Sequence, residues 1–226
     1  MSTTSNIDVQ VNPLNRNQSL MYGSTYQGLP VMTVHGPFVI EYLEALHRTL
    51  CKSLQDHPRT CAIRFDLRFP QGYLASDELT SNQVMSRFIA SLRAKIEHDR
   101  RCARQLYRYA HQTRVRYVWA REVGADGRVH YHFALLLNGD AYFTLGRFDS
   151  EHDNLFKRIT SAWASAMGLD ERYAEGLVHF PNQPVYRIQA SDPLSIADFF
   201  HRASYLCKQG TKSFGHGHHG FGCSRT

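Results

Sequence analysis

The stretch Arg128-Val-His-Tyr-His-Phe-Ala-Leu-Leu-Leu-Asn138 decides the fold. Aromatic and aliphatic residues dominate it, which favours a β-strand. The turn sequence Ala125-Asp126-Gly127 precedes it, and residues 114–123 before that turn also have strand character. Two strands joined by a short turn that contains glycine predict an antiparallel hairpin.

The rest of the chain alternates helical and strand-like segments around this hairpin. Apolar residues recur at three- and four-residue spacing, as in amphipathic helices, at about 36–57, 79–107, 150–167 and 191–208. Strand patterns are found at 60–69, 176–180 and 184–189. The first of these alternates apolar and charged residues, so we expect it to have one buried and one polar face. The order of elements predicts an α+β fold, with a single central antiparallel β-sheet and helices packed mainly on one face.

The two ends of the chain differ from this core in composition. Residues 1–30 are rich in Asn, Ser, Thr and Gln without sustained periodicity, so we expect a flexible N-terminal arm. Residues 211–226 form a Gly- and His-rich tail in which we expect His216, His218 and His219 to be mobile. Residues 31–210 are then expected to form one domain.

Charge and composition narrow the class of protein. The formal net charge is +6, and 21 of the 26 basic residues are Arg. Arg binds phosphate bidentately and stacks on bases, which favours a nucleic-acid partner, although a general preference for Arg in the source genome would give the same count. The sequence has no apolar run long enough to cross a bilayer and no secretory signal, so we expect a cytoplasmic protein. The five cysteines form no CxxC pair, and reduced thiols are expected.

The predicted hairpin carries a candidate metal site. His130 and His132 are two residues apart, so they share one face of the strand, about 7 Å apart, and both imidazoles could reach one ion. A two-residue turn would pair Val123 with His130 and direct Glu122 to the opposite face. A three-residue turn with Gly127 in the left-handed conformation would pair Glu122 with His130 instead.

The second register places a carboxylate and two imidazoles on one face. Such a set leaves coordination positions for water and substrate oxygens, as a catalytic Mg²⁺ or Mn²⁺ site requires. In the alternative interpretation, His130 and His132 are hydrogen-bonded histidines of a sheet, and Glu122 is a surface carboxylate near Arg121 or Arg128.

The last predicted helix carries a candidate nucleophile. Tyr205 and Lys208 are three residues apart and would share a helix face. A Tyr hydroxyl is a poor nucleophile at neutral pH, but it becomes useful where a metal ion polarises the phosphate it attacks and a cation stabilises the developing charge. Alternatively, the pair is an incidental feature of an exposed helix end.

These motifs together resemble those of the HUH endonucleases, the superfamily of rolling-circle Rep proteins, relaxases and related transposases. The strand Ala62-Ile-Arg-Phe-Asp-Leu-Arg68 stands in the place of the first Rep motif, Glu122 with His130-Tyr-His132 in that of the metal motif, and Tyr205-Leu-Cys-Lys208 in that of the single-tyrosine motif. Residues 128–138 and 202–208, with the Phe-Gly-Cys-Ser sequence near the end, are similar to the inovirus-type replication proteins of phages and prophages, the YagK/YfjJ domain family.

The resemblance implies a Rep-like sheet, related to ferredoxin and RNA-recognition folds, with the His pair on a middle strand. It implies that Tyr205 attacks a phosphodiester of single-stranded DNA at a replication origin, with Lys208 assisting and Mg²⁺ or Mn²⁺ held by Glu122, His130 and His132. Because the sequence has no Walker phosphate loop, host helicase and polymerase would be required partners. The oligomeric state is not predicted.

The sequence also suggests further candidate site residues and two alternative functions. An Arg-rich helix face and the following segment could contact DNA phosphates, through Arg93, Arg100, Arg101, Arg104, Arg114 and Arg116. Asp66 could approach the metal. The alternative functions are a DNA-binding protein that keeps the fold without catalysis, and a relaxase or transposase with the same chemistry.

Overall fold

The predicted hairpin lies at the middle of a six-stranded antiparallel sheet. The structure, a computed structural model, describes residues 8–71, 82–124, 126–147, 153–174, 176–212 and 219–225. Its strands are β1 (Asp8–Val11), β2 (Ser19–Tyr22), β3 (Thr25–Tyr26), β4 (Leu29–Pro30), β5 (Phe38–Val39), β6 (Arg59–Arg68), β7 (Arg116–Val123), β8 (Val129–Asn138), β9 (Val178–His179), β10 (Val185–Gln189) and β11 (Phe221–Cys223). Its α-helices, within those residues, are α1 (Ile40–Asp56), α2 (Asn82–Leu106), α3 (Leu155–Met167) and α4 (Pro193–Ser204).

The large sheet has the strand order β10-β6-β8-β7-β11, and β9 also pairs with β6. The strand β8 is therefore a middle strand, hydrogen-bonded to β6 on one side and to β7 on the other. Two smaller antiparallel sheets accompany it, β1-β2-β5 and β3-β4. The expectation of a single sheet is thus wrong, because the short N-terminal strands form sheets of their own.

Helices cover both faces of the large sheet, which corrects the expectation that they pack mainly on one. Helices α2 and α3 pack on the face that carries Phe65, Tyr131 and Phe133. Helices α1 and α4 pack on the face that carries Ala134 and Leu136. The physical reason is visible in β8, where residues 133–137 are all apolar, since a strand with an unbroken apolar run is buried on both sides.

The N-terminal residues that the structure describes differ from the expected flexible arm. Strands β1 and β2 pair from Asp8 opposite Tyr22 to Val11 opposite Ser19, and β2 also pairs with β5. Leu20 and Met21 are buried against the core. A strand of four residues is too short to produce a periodic signal among polar neighbours, which is why composition alone indicated an arm.

The C-terminal residues also differ from the expected tail. Strand β11 pairs with β7 and forms the edge of the large sheet, and Lys212 and Ser224 are buried. His219 is exposed, whereas His216 and His218 lie outside the described residues. In the part of the chain that the structure describes, no helix is both long and apolar enough to span a membrane.

A glycine substitution tests whether β11 belongs to the fold. Gly222 pairs with Trp119, and a Cβ atom at Gly222 would lie 2.6 Å from ring atoms of Trp119. We expect Gly222→Ala to lower the free energy of unfolding by about 1–3 kcal/mol, because overpacking displaces the ring or the strand. Chemical denaturation followed by fluorescence measures this.

The matched control is Gly210→Ala, since a Cβ atom there would have no neighbour within 4 Å. It should leave the unfolding free energy within about 0.5 kcal/mol of the parent. Equal stabilities for the two variants would show that β11 does not pack on Trp119.

Candidate metal and tyrosine site

The register of the hairpin is the one that unites the candidate metal ligands. Glu122 pairs with His130, and Val123 pairs with Val129. The backbone N–H of Gly124 donates to the carbonyl of Arg128, and Gly127 has a φ angle of 74°. Of the two turns that the sequence allows, the structure therefore has the longer one, with Gly127 in the left-handed region, and the strand pairing excludes the shorter one.

This register brings three possible ligand groups together. One ligand atom each from Glu122, His130 and His132 lies within 4.8 Å of the others. Glu122 Oε2 is 3.2 Å from His132 Nε2 and 4.0 Å from His130 Nε2. Glu122 and His132 are buried, whereas the His130 side chain keeps 26% of its surface exposed, so the cluster is open to solvent on one side.

The donor set fits a divalent cation. Two imidazole nitrogens and a carboxylate oxygen are ligands of several divalent ions, and Mg²⁺, which prefers oxygen ligands, suits this set less well than the others. The ligand atoms already lie within 4.8 Å of one another, so small side-chain movements would let all three groups reach one ion. Burial lowers the pKa of His130, as does the nearby His132, which keeps this imidazole neutral and able to donate its lone pair.

Asp66 holds His132 from the neighbouring strand. Asp66 is the cross-strand partner of His132, and its Oδ1 is 2.6 Å from His132 Nδ1. Arg64 Nη2 lies 2.7 Å from the same nitrogen. Two neighbours at Nδ1 fix the ring so that Nε2 points at the metal cluster, 3.2 Å from Glu122 Oε2. Asp66 therefore approaches the opposite nitrogen of His132 rather than the cluster itself, where sequence analysis had suggested a place for it.

Arg64 completes this support and was not singled out from sequence. Its side chain is buried, and Nη1 donates to Asp66 Oδ1 at 2.6 Å. Although burial alone would raise the pKa of Asp66, the hydrogen bond with His132 and the charge of Arg64 lower it far below its usual range. Asp66 is thus a fixed negative charge behind His132. Side chains alternate along β6, so Arg64 and Asp66 lie on the sheet face that carries His130 and His132. This alternation is the only sequence feature that indicates a place for them near the site.

Glu122 is surrounded by donors from the C-terminal part of the chain. Lys212 Nζ lies 2.7 Å from Oε1, Lys208 Nζ lies 3.0 Å from Oε2, and Thr211 donates to Oε2 at 2.6 Å. Burial raises the pKa of Glu122, but the hydrogen bond with His132 and the charge of Lys212 outweigh it, and the pKa falls far below its usual range. Glu122 is consequently an ionised carboxylate inside the protein, not the surface carboxylate of the alternative interpretation.

Neither Thr211 nor Lys212 was predicted as a site residue. The Lys212 side chain is fully buried, and that burial lowers its pKa, which the charge of Glu122 opposes. A lysine in a segment rich in glycine and histidine carries no sequence signal for burial. Only the tertiary pairing with Glu122 accounts for its place.

Tyr205 lies beside the metal cluster, immediately after α4. The helix ends at Ser204, and residues Tyr205–Cys207 form a 3-10 turn, so the predicted helix to residue 208 is too long. The Tyr205 ring lies edge-on between the rings of His132, at 5.0 Å, and His35, at 4.7 Å. Lys208 Nζ donates to the Tyr205 hydroxyl at 2.5 Å. The structure therefore brings Tyr205 and Lys208 together with the metal cluster, and it adds His35, which sequence analysis missed.

The candidate DNA-binding arginines lie elsewhere. Helix α2 carries four of them, and it packs on the sheet face opposite His130 and His132. Arg100 pairs with Asp99, and Arg93 lies over the ring of Tyr117. Arg101 and Arg104 are exposed, and Arg114 pairs with Asp56 at 3.3 Å.

Arg116 is the clearest departure from that prediction. Its side chain is only 4% exposed and donates to Asp56 at 2.6 Å. A guanidinium buried against a carboxylate is not available to a DNA phosphate, so Arg116 acts in packing between β7 and α1.

Comparison with known proteins places the chain in a family. Among solved structures, the N-terminal nuclease domain of the minute virus of mice non-structural protein-1 is similar with a TM-score of 0.27 and 12% identity, over 81% of this chain and 78% of that one. A TM-score this low does not establish a shared fold. Among sequences, the chain is 35% identical to YagK of Escherichia coli (strain K12) over 209 residues, which covers 89% of this chain and 98% of YagK.

It is also 31% identical to YfjJ of the same organism over 200 residues, covering 84% of this chain and 96% of YfjJ. The family model of the YagK/YfjJ C-terminal domain matches residues 22–224, a span that begins at the last residue of β2 and includes the C-terminal strand β11. The resemblance to this family noted from the hairpin and the tyrosine segment is thereby confirmed, and the chain belongs to the YagK/YfjJ C-terminal domain family.

Proposed function

We propose that the protein is a metal-dependent DNA endonuclease that nicks and rejoins single-stranded DNA with Tyr205 as its nucleophile. The observation that carries the proposal is the position of Lys208. Its ammonium group contacts both the Tyr205 hydroxyl, at 2.5 Å, and the Glu122 carboxylate of the metal cluster, at 3.0 Å. A nucleophile and a candidate metal site that share one cation form a coherent site for phosphoryl transfer.

Glu122, His130 and His132 would hold Mg²⁺ or Mn²⁺. Such an ion, when bound, polarises a phosphate and neutralises charge that develops on it. Asp66 keeps His132 in the orientation that exposes Nε2 to the ion. The open side of the cluster at His130 is where a DNA phosphate would enter.

The reaction follows from the groups around Tyr205. The Tyr205 oxygen attacks phosphorus, the bond to the 3′-oxygen of the preceding nucleotide breaks, and a 5′-phosphotyrosyl link forms. The hydroxyl proton passes to water as the bond forms, and the positive charge of Lys208 stabilises the phenolate oxygen. The 3′-oxygen takes up a proton from water and leaves as a free hydroxyl group. Attack of a 3′-hydroxyl on the phosphotyrosyl link reverses these steps and rejoins the strand.

The biological role that we propose is initiation of rolling-circle replication of a phage or prophage element. A free 3′-hydroxyl is a primer for a host polymerase, and a host helicase would unwind the duplex. This role rests on the resemblance to the inovirus-type replication proteins. A relaxase or transposase would use the same site, and mobilisation of a marked element in cells, rather than its replication, would favour that alternative.

A covalent adduct tests the nucleophile. Protein mixed with labelled single-stranded DNA from the origin of its element, in Mn²⁺, should form a DNA-linked band that survives denaturing electrophoresis. Tyr205→Phe should abolish the band, because it removes the only atom of that side chain that can bond to phosphorus. The matched control, Tyr173→Phe, changes a tyrosine that is 69% exposed and should leave the band intact.

An adduct of normal yield from Tyr205→Phe would contradict the assignment of the nucleophile. Tight DNA binding without any adduct from the parent protein would instead favour the non-catalytic DNA-binding alternative.

Removal of a metal ligand tests the ion site. His130→Ala should weaken Mn²⁺ binding by more than about 100-fold, because losing a metal ligand costs more affinity than losing a hydrogen-bond partner of a ligand. Titration calorimetry on the purified protein measures the affinity, and EDTA should abolish the adduct. The control, His98→Ala, changes a histidine of α2 on the opposite face of the sheet. Nicking that proceeds in EDTA, or an unchanged Mn²⁺ affinity in His130→Ala, would refute the metal site.

Substitution of Asp66 tests the support of His132. Asp66→Asn keeps the size of the side chain but removes the charge that faces His132 Nδ1. We expect Mn²⁺ affinity to fall by about 10–100-fold, the usual cost of losing such a partner. Imidazole nitrogen shifts in NMR spectra should show that the tautomer of His132 changes. If affinity and tautomer both stay as in the parent, Asp66 does not position the ring.

A further inference from the structure

A small cavity beside Tyr205 adjoins the metal cluster at His132. Its volume is about 240 Å³, and neither Glu122 nor His130 lines it. The lining residues that matter here are His35, Arg64, Asp66, Arg202 and Tyr205. At about 30 Å³ per water molecule, the cavity holds roughly eight waters, which is room for a phosphate group with some of the attached sugar.

Two guanidinium groups line this cavity, and they differ in their partners. Arg64 is paired with Asp66, which also lines the cavity, so these two charges compensate each other. Arg202 lies in the last turn of α4, three residues before Tyr205, and both side chains line the cavity. Within the described part of the chain, no hydrogen bond or ion pair engages the Arg202 side chain, which is only partly exposed.

An unpaired guanidinium in a small cavity is expected to have an anionic partner. Partial burial weakens its hydration, and a phosphate oxygen pair matches its planar donors. The cavity therefore has one uncompensated positive charge, supplied by Arg202, next to the hydroxyl group that would attack DNA.

We propose that this cavity binds a second phosphodiester group of the DNA strand, next to the one that Tyr205 attacks, with Arg202 as its cationic partner. This inference rests on the proposed function. A second anchored phosphate would fix the register of the strand, so that the scissile phosphorus faces the Tyr205 oxygen. Arg202 is thus a binding and positioning residue, and the arginines of α2 are not needed for it.

The test measures DNA binding in a protein that cannot nick. In the Tyr205→Phe background, binding of fluorescein-labelled oligo(dT) is followed by anisotropy over a range of salt concentrations. Each lost phosphate contact with single-stranded DNA reduces the slope of log affinity against log salt by about 0.7. We expect Arg202→Gln to reduce the slope by that amount and to weaken binding about tenfold at low salt.

Two further variants exclude a structural explanation, with melting curves as the check on folding. Arg202→Met keeps the apolar part of the side chain and should give the same smaller slope. Arg202→Lys keeps the charge and should retain the slope of the Tyr205→Phe protein. The matched control is Arg172→Gln, an arginine that is 83% exposed and pairs only with Asp170 among the described residues, and it should change nothing.

An unchanged slope in Arg202→Gln and Arg202→Met would overturn the phosphate site, even if the parent forms the covalent adduct. Conversely, a slope that depends on Arg202 in a protein whose parent never forms an adduct would support the site and refute nicking. The two proposals can therefore fail separately.

Discussion

The buried charge of Glu122 is the constraint on which the site depends. A carboxylate inside a protein is strongly unfavourable unless other groups pair with it, and removing one partner from such a pair typically costs about 3–5 kcal/mol. Glu122 is only 2% exposed, and its partners come from three parts of the chain. His132 lies on the neighbouring strand, Lys208 follows α4, and Thr211 with Lys212 lies beyond it. One carboxylate thereby fixes the tyrosine segment and the C-terminal residues against the hairpin.

The same arrangement links the candidate metal site to Tyr205, the proposed nucleophile. Lys208 contacts both Glu122 and Tyr205. A cation bound at Glu122 would therefore repel the Lys208 ammonium group, which also contacts the Tyr205 hydroxyl. Lys212 contacts the other carboxylate oxygen from a fully buried position and stays in place as a structural counter-charge. A cation at the cluster would compete with Lys208 for Glu122 Oε2, and it would leave the ammonium group free to serve Tyr205 and a phosphate. On this proposal, the site would couple cation binding to the charge next to Tyr205.

Local patterns in the sequence predicted the parts of the fold whose causes are local. The apolar spacing predicted helices close to α1, α2 and α3, and the hairpin followed from its strand composition and turn. The register of Glu122 with His130 stayed open, because Gly127 takes a positive φ angle in a two-residue turn as well as in a three-residue turn, and only the strand pairing distinguishes them. The burial of both sheet faces depends on how α1 and α4 pack on the sheet. The alternation of apolar and charged residues in β6 indicated only one buried face. Lys212 and His35 reach the site through tertiary packing alone, so no spacing rule could find them.

The most direct test of the site is the position of a bound ion. Crystals of the protein grown with Mn²⁺ and measured at a wavelength where manganese scatters anomalously should show one strong peak. We expect this peak to lie between His130 Nε2, His132 Nε2 and a Glu122 oxygen, with Lys208 moved away from Glu122 and still next to the Tyr205 hydroxyl. A peak at the Asp66 and His179 side of the strand, or no peak at the cluster with Lys208 still on Glu122, would contradict it.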